Sequence, residues 1–457
     1  TGSDSNDGSE SSPFATIQVG IDASSSGHTV LVAAGTYYEN IEINGKHIAL
    51  IGADSSNTII DGGNAGGVIK IVNGDTSLIQ KFTIQNGSGN PGGGFEISSS
   101  NAVLDQLMII NNESTNDGSA IWSSSWGGSL TNSIVQNNYS GNSGALNIQG
   151  SSQITMSNVT ISGNTAPVEG GGIYSDNSSF TFDGGTISNN TASGSGGGIY
   201  ANNSSFTIDS SIIDNNVSNS SAEYEGGGGI FSTESFFIIK NTTISNNSAA
   251  KYGGGVYFED NTDQSTFDNC NIFNNSSDNA GGAVFGQNSQ IKFLSMVMDN
   301  NSAAQNGGAV FLNYCTSEFI RVRVYENEAT SYGGGIRFDH GSAVITNVTL
   351  VNNSAVDGGG IHADYDGSGN YTLVFNNSIL WGNTTNDITI DSVGNPNIDV
   401  TYNYNLAITG LSGTGNIFSN PLFADINNGD LTLQWGSPAI DAGDPDLDGD
   451  GYDYTTD

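Results

Sequence analysis

Short apolar runs, separated by polar and glycine-rich turns, follow one another along most of the chain. Residues 170–195 read GGGIYSDNSSFTFDGGTISNNTASGS, with apolar runs at 173–174, 180–182 and 186–187. Runs this short, bounded by turn residues, predict β-strands rather than helices. Each repeat of the pattern therefore predicts three strands.

Asparagine recurs through this region in a fixed position of the repeat, at intervals of 26 to 31 residues. An apolar residue stands three positions before every one of these asparagines, from Ile109 to Leu380. Positions that keep their register over many repeats indicate a solenoid, in which each coil lies on its neighbour. The asparagines are Asn112, Asn138, Asn164, Asn190, Asn216, Asn247, Asn275, Asn301, Asn327, Asn353 and Asn383.

The pattern predicts an all-β fold, a single-stranded right-handed parallel β-helix with three short strands per coil of roughly 26 residues. Two more apolar columns, one after each glycine run and one containing Phe180 and Phe206, complete the predicted core. We expect the buried asparagine amides to bond from coil to coil, and the asparagines themselves to take the left-handed backbone of a corner.

The repeat divides the sequence into five regions. A leader spans residues 1–12, opening coils 13–90, regular coils 91–390, closing coils 391–443, and an acidic tail 444–457. PFATIQ near the start and LTLQWGSPAIDAG near the end read as strand-like runs of opening and closing coils.

Composition narrows the choice of partners. The formal net charge is -37, so nucleic acid and anionic membranes would be repelled. Such a surface instead suits cations, calcium first, or neutral ligands. Cys270 and Cys315 fall at different points of the repeat, so we expect no disulfide. No apolar run reaches about 18 residues, the length that predicts a transmembrane segment.

The motif GGAVF, followed by IFNN, MDNN or VYEN, resembles the repeats of polymorphic outer-membrane protein adhesins. GTYYENIEINGKHIALIG resembles the opening of pectate-lyase-like and pectin-esterase-like β-helices. Together the resemblances cover about residues 13–443. They imply a β-helix displayed outside a cell, where the repeat family mostly mediates adhesion.

The tail carries a D-x-D-x-D-G core, which places oxygen ligands at alternate positions with glycine at the turn. It resembles the calcium loops of dockerins and thrombospondin type 3 repeats. A solvated acidic tail is the alternative interpretation. The predicted calcium ligands are Asp444, Asp446, Asp448, Asp450 and Asp457.

Aromatic residues follow the second core column in six coils. Strand alternation points these side chains away from the core, where they either form an exposed ladder for sugar rings or are covered by adjoining loops. Arg337 and His362 continue the column in the next coils. The predicted ligand-binding residues are Tyr174, Tyr200, Phe231, Tyr257, Phe285 and Phe311.

Catalysis of glycoside hydrolysis needs paired carboxylates, and a lyase needs a base. Asp183 and Asp209 share a column in consecutive coils, and Lys240 follows in the next. They are the candidate catalytic residues, although a stacked structural ion pair explains them as well. The histidines show no metal-ligand spacing.

We therefore predict a secreted or cell-surface adhesin that binds glycans or surface proteins through the side of the β-helix. Two alternatives stay open. One is a polysaccharide lyase or glycoside hydrolase. The other is a structural component of an extracellular sheath or filament, formed by self-association.

Overall fold

The chain folds as a right-handed parallel β-helix of about 14 turns, as the repeat predicted. The computed structural model describes residues 2–74, 76–261, 263–365, 369–392, 397–408 and 411–444. Two compact units divide it: Thr1–Ser221 with Glu225–Phe237, and Ala222–Tyr224 with Ile238–Asp457. The strand Phe236–Lys240 contains the boundary between them.

In the first unit, each coil has a first strand after the glycine run, then a second and a third, and most coils add a two-residue fourth strand. First strands are Ile41–Asn44, Ile69–Val72, Phe95–Ser100, Ile121–Trp126, Leu146–Gln149, Ile173–Asp176, Ile199–Asn202 and Ile230–Thr233. Second strands are Thr29–Val32, Ala49–Gly52, Leu78–Gln80, Val103–Asp105, Ser129–Thr131, Gln153–Ser157, Ser179–Asp183 and Ser205–Asp209. Third strands are Gly35–Tyr38, Thr58–Asp61, Thr83–Gln85, Met108–Ile110, Ile134–Gln136, Thr160–Ser162, Thr186–Ser188 and Ile212–Asp214. Fourth strands are Ser88–Gly89, Glu113–Ser114, Tyr139–Ser140, Thr165–Ala166, Thr191–Ala192 and Val217–Ser218.

The second unit repeats this plan, except that the first and second strands merge in two coils, as Val310–Ile320 and Ile336–Thr346. Its other first strands are Val256–Glu259, Val284–Gln287, Ile361–Asp364 and Ile388–Asp391. Its other second strands are Ser265–Asp268, Gln290–Leu294, Tyr371–Asn376 and Ile398–Asn403. Third strands are Thr243–Ser245, Asn271–Phe273, Val297–Asp299, Arg323–Tyr325, Thr349–Val351, Ile379–Trp381 and Leu406–Ala407. Fourth strands are Ser248–Ala249, Ser276–Ser277, Ser302–Ala303 and Glu328–Ala329.

The core is built from the three predicted apolar columns. Ile173, Phe180 and Ile187 are almost wholly buried and belong to the three main strands of one coil. Each is in parallel register with its equivalent in the next coil, and the Phe180 and Phe206 rings stack 5.2 Å apart. One-coil periodicity in sequence thus becomes side-by-side packing, the result a solenoid requires.

The asparagine column forms the predicted ladder. In the first unit, the Nδ2 atoms of Asn112, Asn138, Asn164 and Asn190 each donate to the Oδ1 of the next asparagine, at 2.9–3.1 Å. The run from Asn247 to Asn383 in the second unit bonds in the same way. These buried amides also bond main-chain groups, so the ladder holds the corners of successive coils together.

The ladder asparagines do not take the left-handed backbone that we expected of them. The residue before each one does: Asn137 has φ +55° and Asn189 φ +56°. The left-handed residue thus comes directly before the buried asparagine at each corner. Here the expectation was wrong by one position.

The start of the chain also differs from the strand-like interpretation of PFATIQ. Ile17–Ala23 is an α-helix that buries Ile17 and Ile21, four residues apart on one face. Glu39 accepts hydrogen bonds from the main-chain N–H groups of Ile17 and Gln18, at 2.8 and 3.0 Å, and so satisfies the helix N-terminus.

Near the other end, strands of the β-helix continue to Leu406–Ala407. An antiparallel pair, Phe423–Asp425 and Asp430–Leu433, then follows, connected by the 3-10 helix Ile426–Asn428. Both cysteines are buried free thiols. Within the described ranges, no helix has the length and apolar character needed to cross a membrane.

Candidate functional site

The candidate surface is the outer column of the first strands, formed by the second residue of each strand. Ile173 and Ser175 are buried on the core side of their strand, while Tyr174 between them points outward and is half-buried. Tyr174 is in register with Tyr200, and Tyr200 with Phe231. Strand alternation therefore predicted the direction of these side chains correctly.

Direction did not determine exposure. Tyr174 and Tyr200 are half-buried, but Phe231, Tyr257, Phe285 and Phe311 are between 0% and 8% exposed. The six aromatic rings therefore do not form an exposed ladder. The last four are covered, as the alternative interpretation expected.

In the second unit, the cover comes from the residue directly before the glycine run. The Tyr252 ring stacks on Phe285, with centroids 4.6 Å apart, and meets Tyr257 edge-on at 6.0 Å. Tyr252 and Ala280 form a parallel bridge, so this turn segment lies against its equivalent in the next coil. Tyr252 therefore covers two of the four buried residues of the column, Tyr257 and Phe285.

Ring geometry sets what the half-buried pair can bind. The Tyr174 and Tyr200 rings are stacked with centroids 5.3 Å apart and planes within 1°, and Tyr200 stacks on Phe231 at 5.1 Å. The rings cover one another's faces and present their edges outward. A sugar ring would meet phenol edges and hydroxyl groups here instead of an open aromatic face.

Carboxyl groups surround these phenols. Burial, followed by the negative charges of Asp176 and Glu169, raises the pKa of Tyr174 to about 12, so its hydroxyl is neutral and can donate. Burial and the nearby Glu225 raise the pKa of Glu169, while a hydrogen bond with Tyr200 acts in the opposite direction. The surface thus combines phenol hydroxyl groups with carboxyl acceptors, a set that suits ligands bearing hydroxyl groups.

The candidate catalytic residues all lie on second strands of the β-helix. Asp183 and Asp209 are in register on neighbouring second strands, and Asp209 accepts a bond from Ser210 Oγ at 3.0 Å. Lys240 belongs to the second unit, where it is in register with Asp268. Their catalytic role stays a prediction.

Of the predicted calcium ligands, only Asp444 is within the described residues. Its main-chain N–H donates to Asn377 Oδ1 at 2.8 Å. Asp446, Asp448, Asp450 and Asp457 lie outside the described residues. The part of the chain that the structure describes contains no group of three or more His, Cys, Asp or Glu side chains placed to hold a metal.

The outer column ends in two polar residues that are unexpectedly buried. Arg337 is 7% exposed and His362 1% exposed. Arg337 lies against the rings of Tyr332 and Phe311, with its guanidinium carbon 4.9 and 5.5 Å from their centroids. The sequence identified both residues as the continuation of the column, but it gave no sign of their burial or of Tyr332.

Comparison with known proteins supports the fold. Residues 120–295 match the family model described as a right-handed β-helix region. No curated protein matches the chain.

Two solved structures show distant similarity. One is the catalytic unit of a thermostable GH87 α-1,3-glucanase from Streptomyces thermodiastaticus strain HF3-3, at 14% identity and a TM-score of 0.29; the match covers 83% of this chain and 66% of that one. The other is the Agl-KA catalytic domain, at 12% identity and a TM-score of 0.22, covering 84% and 59%. The chain thus spans 66% and 59% of the length of these two chains, less than two thirds of either. Similarity this low does not indicate what the chain binds or does.

Proposed function

We propose that this protein is an extracellular or cell-surface adhesin that binds neutral glycans through the outer column of its first unit. The observation that carries the proposal is the half-buried pair Tyr174 and Tyr200, whose phenol groups lie beside the carboxyl groups of Glu169 and Asp176. Hydroxyl groups of a sugar both donate and accept hydrogen bonds, so they match this mixture of groups. The net charge of -37 disfavours anionic polymers as partners.

The repeated coils give this surface a rigid support. The main chains of neighbouring coils are in parallel register, so the two tyrosines are held one strand spacing apart, about 4.8 Å. Side chains fixed in this way lose little conformational entropy when a ligand binds. A glycan chain running from coil to coil would meet equivalent groups in succession.

The test is a glycan array followed by calorimetry with the double variant Tyr174→Phe and Tyr200→Phe. Phenylalanine keeps the ring stack but removes both hydroxyl groups, so we expect affinity to fall at least tenfold. The matched control is Thr181→Val with Thr207→Val, which removes two hydroxyl groups from the second strands of the same coils. Equal affinity of the Phe variant and the control would refute binding through the phenols.

We further propose calcium binding by the tail, with Asp444, Asp446, Asp448, Asp450 and Asp457 as ligands. The support is the spacing of the carboxylates around a glycine turn. Calorimetric titration of the whole chain with Ca²⁺ tests it, with Asp446→Asn plus Asp448→Asn as the variant. Heat of binding that the double variant leaves unchanged would contradict the assignment.

Polysaccharide cleavage is the second candidate function, since Asp183 and Asp209 are aligned in neighbouring strands. Incubation with a polysaccharide panel, followed by measurement of new reducing ends and unsaturated products, distinguishes it from binding. Turnover by the wild type that Asp183→Asn or Asp209→Asn abolishes would replace the adhesin proposal with an enzyme. Regular assemblies in electron micrographs would favour a sheath or filament.

A further inference from the structure

Aromatic rings replace the usual short residue at one corner in two neighbouring coils of the second unit. This corner lies between the first and second strands, and in the first unit Asn177 and Asn203 hold it, with left-handed φ values of +49° and +42°. Tyr314 and His340 hold it in the second unit, with φ of +52° and +59°. Asparagine takes this backbone readily, whereas a bulky residue such as tyrosine rarely does. A side chain kept on an unfavourable backbone suggests a functional position.

The register of the strands places Asn288, Tyr314 and His340 in one file, in three consecutive coils. The rings of Tyr314 and His340 are stacked, with centroids 4.6 Å apart and planes within 9° of each other. Because His340 is in the following coil, the other face of the Tyr314 ring is directed toward the coil of Asn288.

This second face of the Tyr314 ring is open to solvent. Tyr314 is 54% exposed although His340 covers one side of its ring, so the accessible surface must include the opposite face. An asparagine side chain is also much shorter than a tyrosine side chain. The outer part of the Tyr314 ring therefore extends beyond Asn288, and together the two residues form what we call the Tyr314 step.

The step has a rigid support. The side chain of His340 is only 12% exposed, and its Nδ1 lies 2.9 Å from Asp339 Oδ1. The ring of Tyr371 meets the imidazole edge-on, with centroids 5.6 Å apart. An imidazole held by these contacts also holds the tyrosine stacked on it, and a ring fixed in advance loses little conformational entropy when a ligand binds.

Polar groups border the step on its open side. Asn288 is exposed, and its Nδ2 donates to Asp260 Oδ1 in the preceding coil at 3.1 Å. That bond uses one of the two Nδ2 protons, so the amide still offers one donor and one acceptor. A ring stacked on Tyr314 would lie at the level of Asn288, because the stacking distance is close to the spacing of the coils, about 4.8 Å.

From this geometry we infer that the Tyr314 step binds a neutral sugar ring, with C–H groups of the sugar on the open face of Tyr314 and hydroxyl groups bonded to the Asn288 amide. The face of an aromatic ring carries partial negative charge and attracts such C–H groups. The carboxylates of Asp260 and Asp339 beside the step would repel an acidic sugar. A cationic side chain would be attracted to the ring as well, but it has no acceptor for the amide donor.

The test is calorimetric titration of the full chain with neutral oligosaccharides, one acidic oligosaccharide and an arginine-rich peptide. The protein carries Tyr174→Phe and Tyr200→Phe, so that the step is measured apart from the other proposed site. In this background we expect a neutral sugar to bind, and Tyr314→Asn to weaken its binding by about tenfold or more. Because Asn288 holds the same corner in the preceding coil, this variant should fold normally.

The matched control is Tyr224→Asn, since Tyr224 is 56% exposed and also has a left-handed backbone, with φ of +61°. This variant should bind the sugar as its parent does. Tyr314→Trp keeps an aromatic face and should keep the binding, whereas Asn288→Gly suits the left-handed backbone, removes the amide and should weaken the binding. In NMR spectra, the sugar C–H protons above the Tyr314 ring should shift upfield.

Three outcomes would overturn the inference. They are the absence of neutral-sugar binding in the Tyr174→Phe and Tyr200→Phe background, equal affinity of Tyr314→Asn and Tyr224→Asn, and tighter binding of the acidic oligosaccharide or the peptide than of any neutral sugar. The step and the Tyr174–Tyr200 surface share no residue. Wild-type binding that the two Phe substitutions abolish and Tyr314→Asn preserves would therefore refute the step alone and leave the adhesin proposal standing.

Discussion

Removal of one ladder asparagine should destabilise the β-helix far more than its size suggests. Asn190 is wholly buried, and its Nδ2 donates to Ile161 O at 2.9 Å and to Asn216 Oδ1 at 3.0 Å. Its Oδ1 accepts from the main-chain N–H of Asn164 at 3.1 Å and from Asn164 Nδ2 at 2.9 Å. Asn190→Ala removes all of these bonds at once.

The magnitude follows from what is left behind. Each buried donor or acceptor without a partner costs about 1–3 kcal/mol. The main-chain N–H of Asn164 is the group most affected, while Asn216 Oδ1 still accepts from the main-chain N–H of Asn190 at 3.0 Å. We therefore expect Asn190→Ala to lower the free energy of unfolding by about 3 kcal/mol, from one lost partner and several weakened ones.

Urea denaturation followed by circular dichroism measures the free energy of unfolding, and amide hydrogen exchange locates the effect. The amide of Asn164 should exchange faster in the variant, because it loses its acceptor. Gln153→Ala is the control: its side chain is exposed on a second strand, so we expect a change within about 0.5 kcal/mol. A loss no greater than that of the control, with unchanged exchange at Asn164, would refute the ladder as a source of stability.

Three further predictions test the packing and the buried groups. Gly171→Ala should destabilise the folded protein by more than about 2 kcal/mol, because an added Cβ would meet carbonyl oxygens at 2.5 and 2.6 Å. At Gly184 an added Cβ has open space, so Gly184→Ala should cost only about 1–2 kcal/mol, from the positive φ of this position. Thermal unfolding compares the two variants. Folding raises the pKa of Glu169 above its ordinary value of 4.5, so the contribution of this carboxyl group to stability should fall as the pH rises from 4.5 through the raised pKa. Glu169→Gln should abolish that fall in pH-dependent denaturation. A pH profile that this variant leaves unchanged would contradict the burial of the carboxyl group. Cys270 and Cys315 should resist a thiol reagent at pH 8 until the chain is unfolded, since both are buried and burial raises the pKa of Cys315 to about 12; rapid labelling of the native protein would show that these thiols are accessible.

The sequence alone was enough to predict the coil, the core columns and the asparagine ladder. Residues such as Phe180 and Phe206 recur one coil apart, and in a solenoid that interval is also the contact between neighbours. Strand alternation likewise determined that Tyr174 and Tyr257 point away from the core. These features follow from local periodicity, which is present in the one-dimensional pattern.

Only the tertiary structure decided which outward side chains reach solvent. Tyr257 and Phe285 are covered because Tyr252, from a turn segment, packs over them, and Arg337 is buried because the Tyr332 ring lies against it. Exposure depends on atoms contributed by other turns and coils, and the period of a strand carries no information about them. For the same reason, the sequence predicted that Arg337 and His362 continue the outer column, whereas only the tertiary structure showed that both are buried.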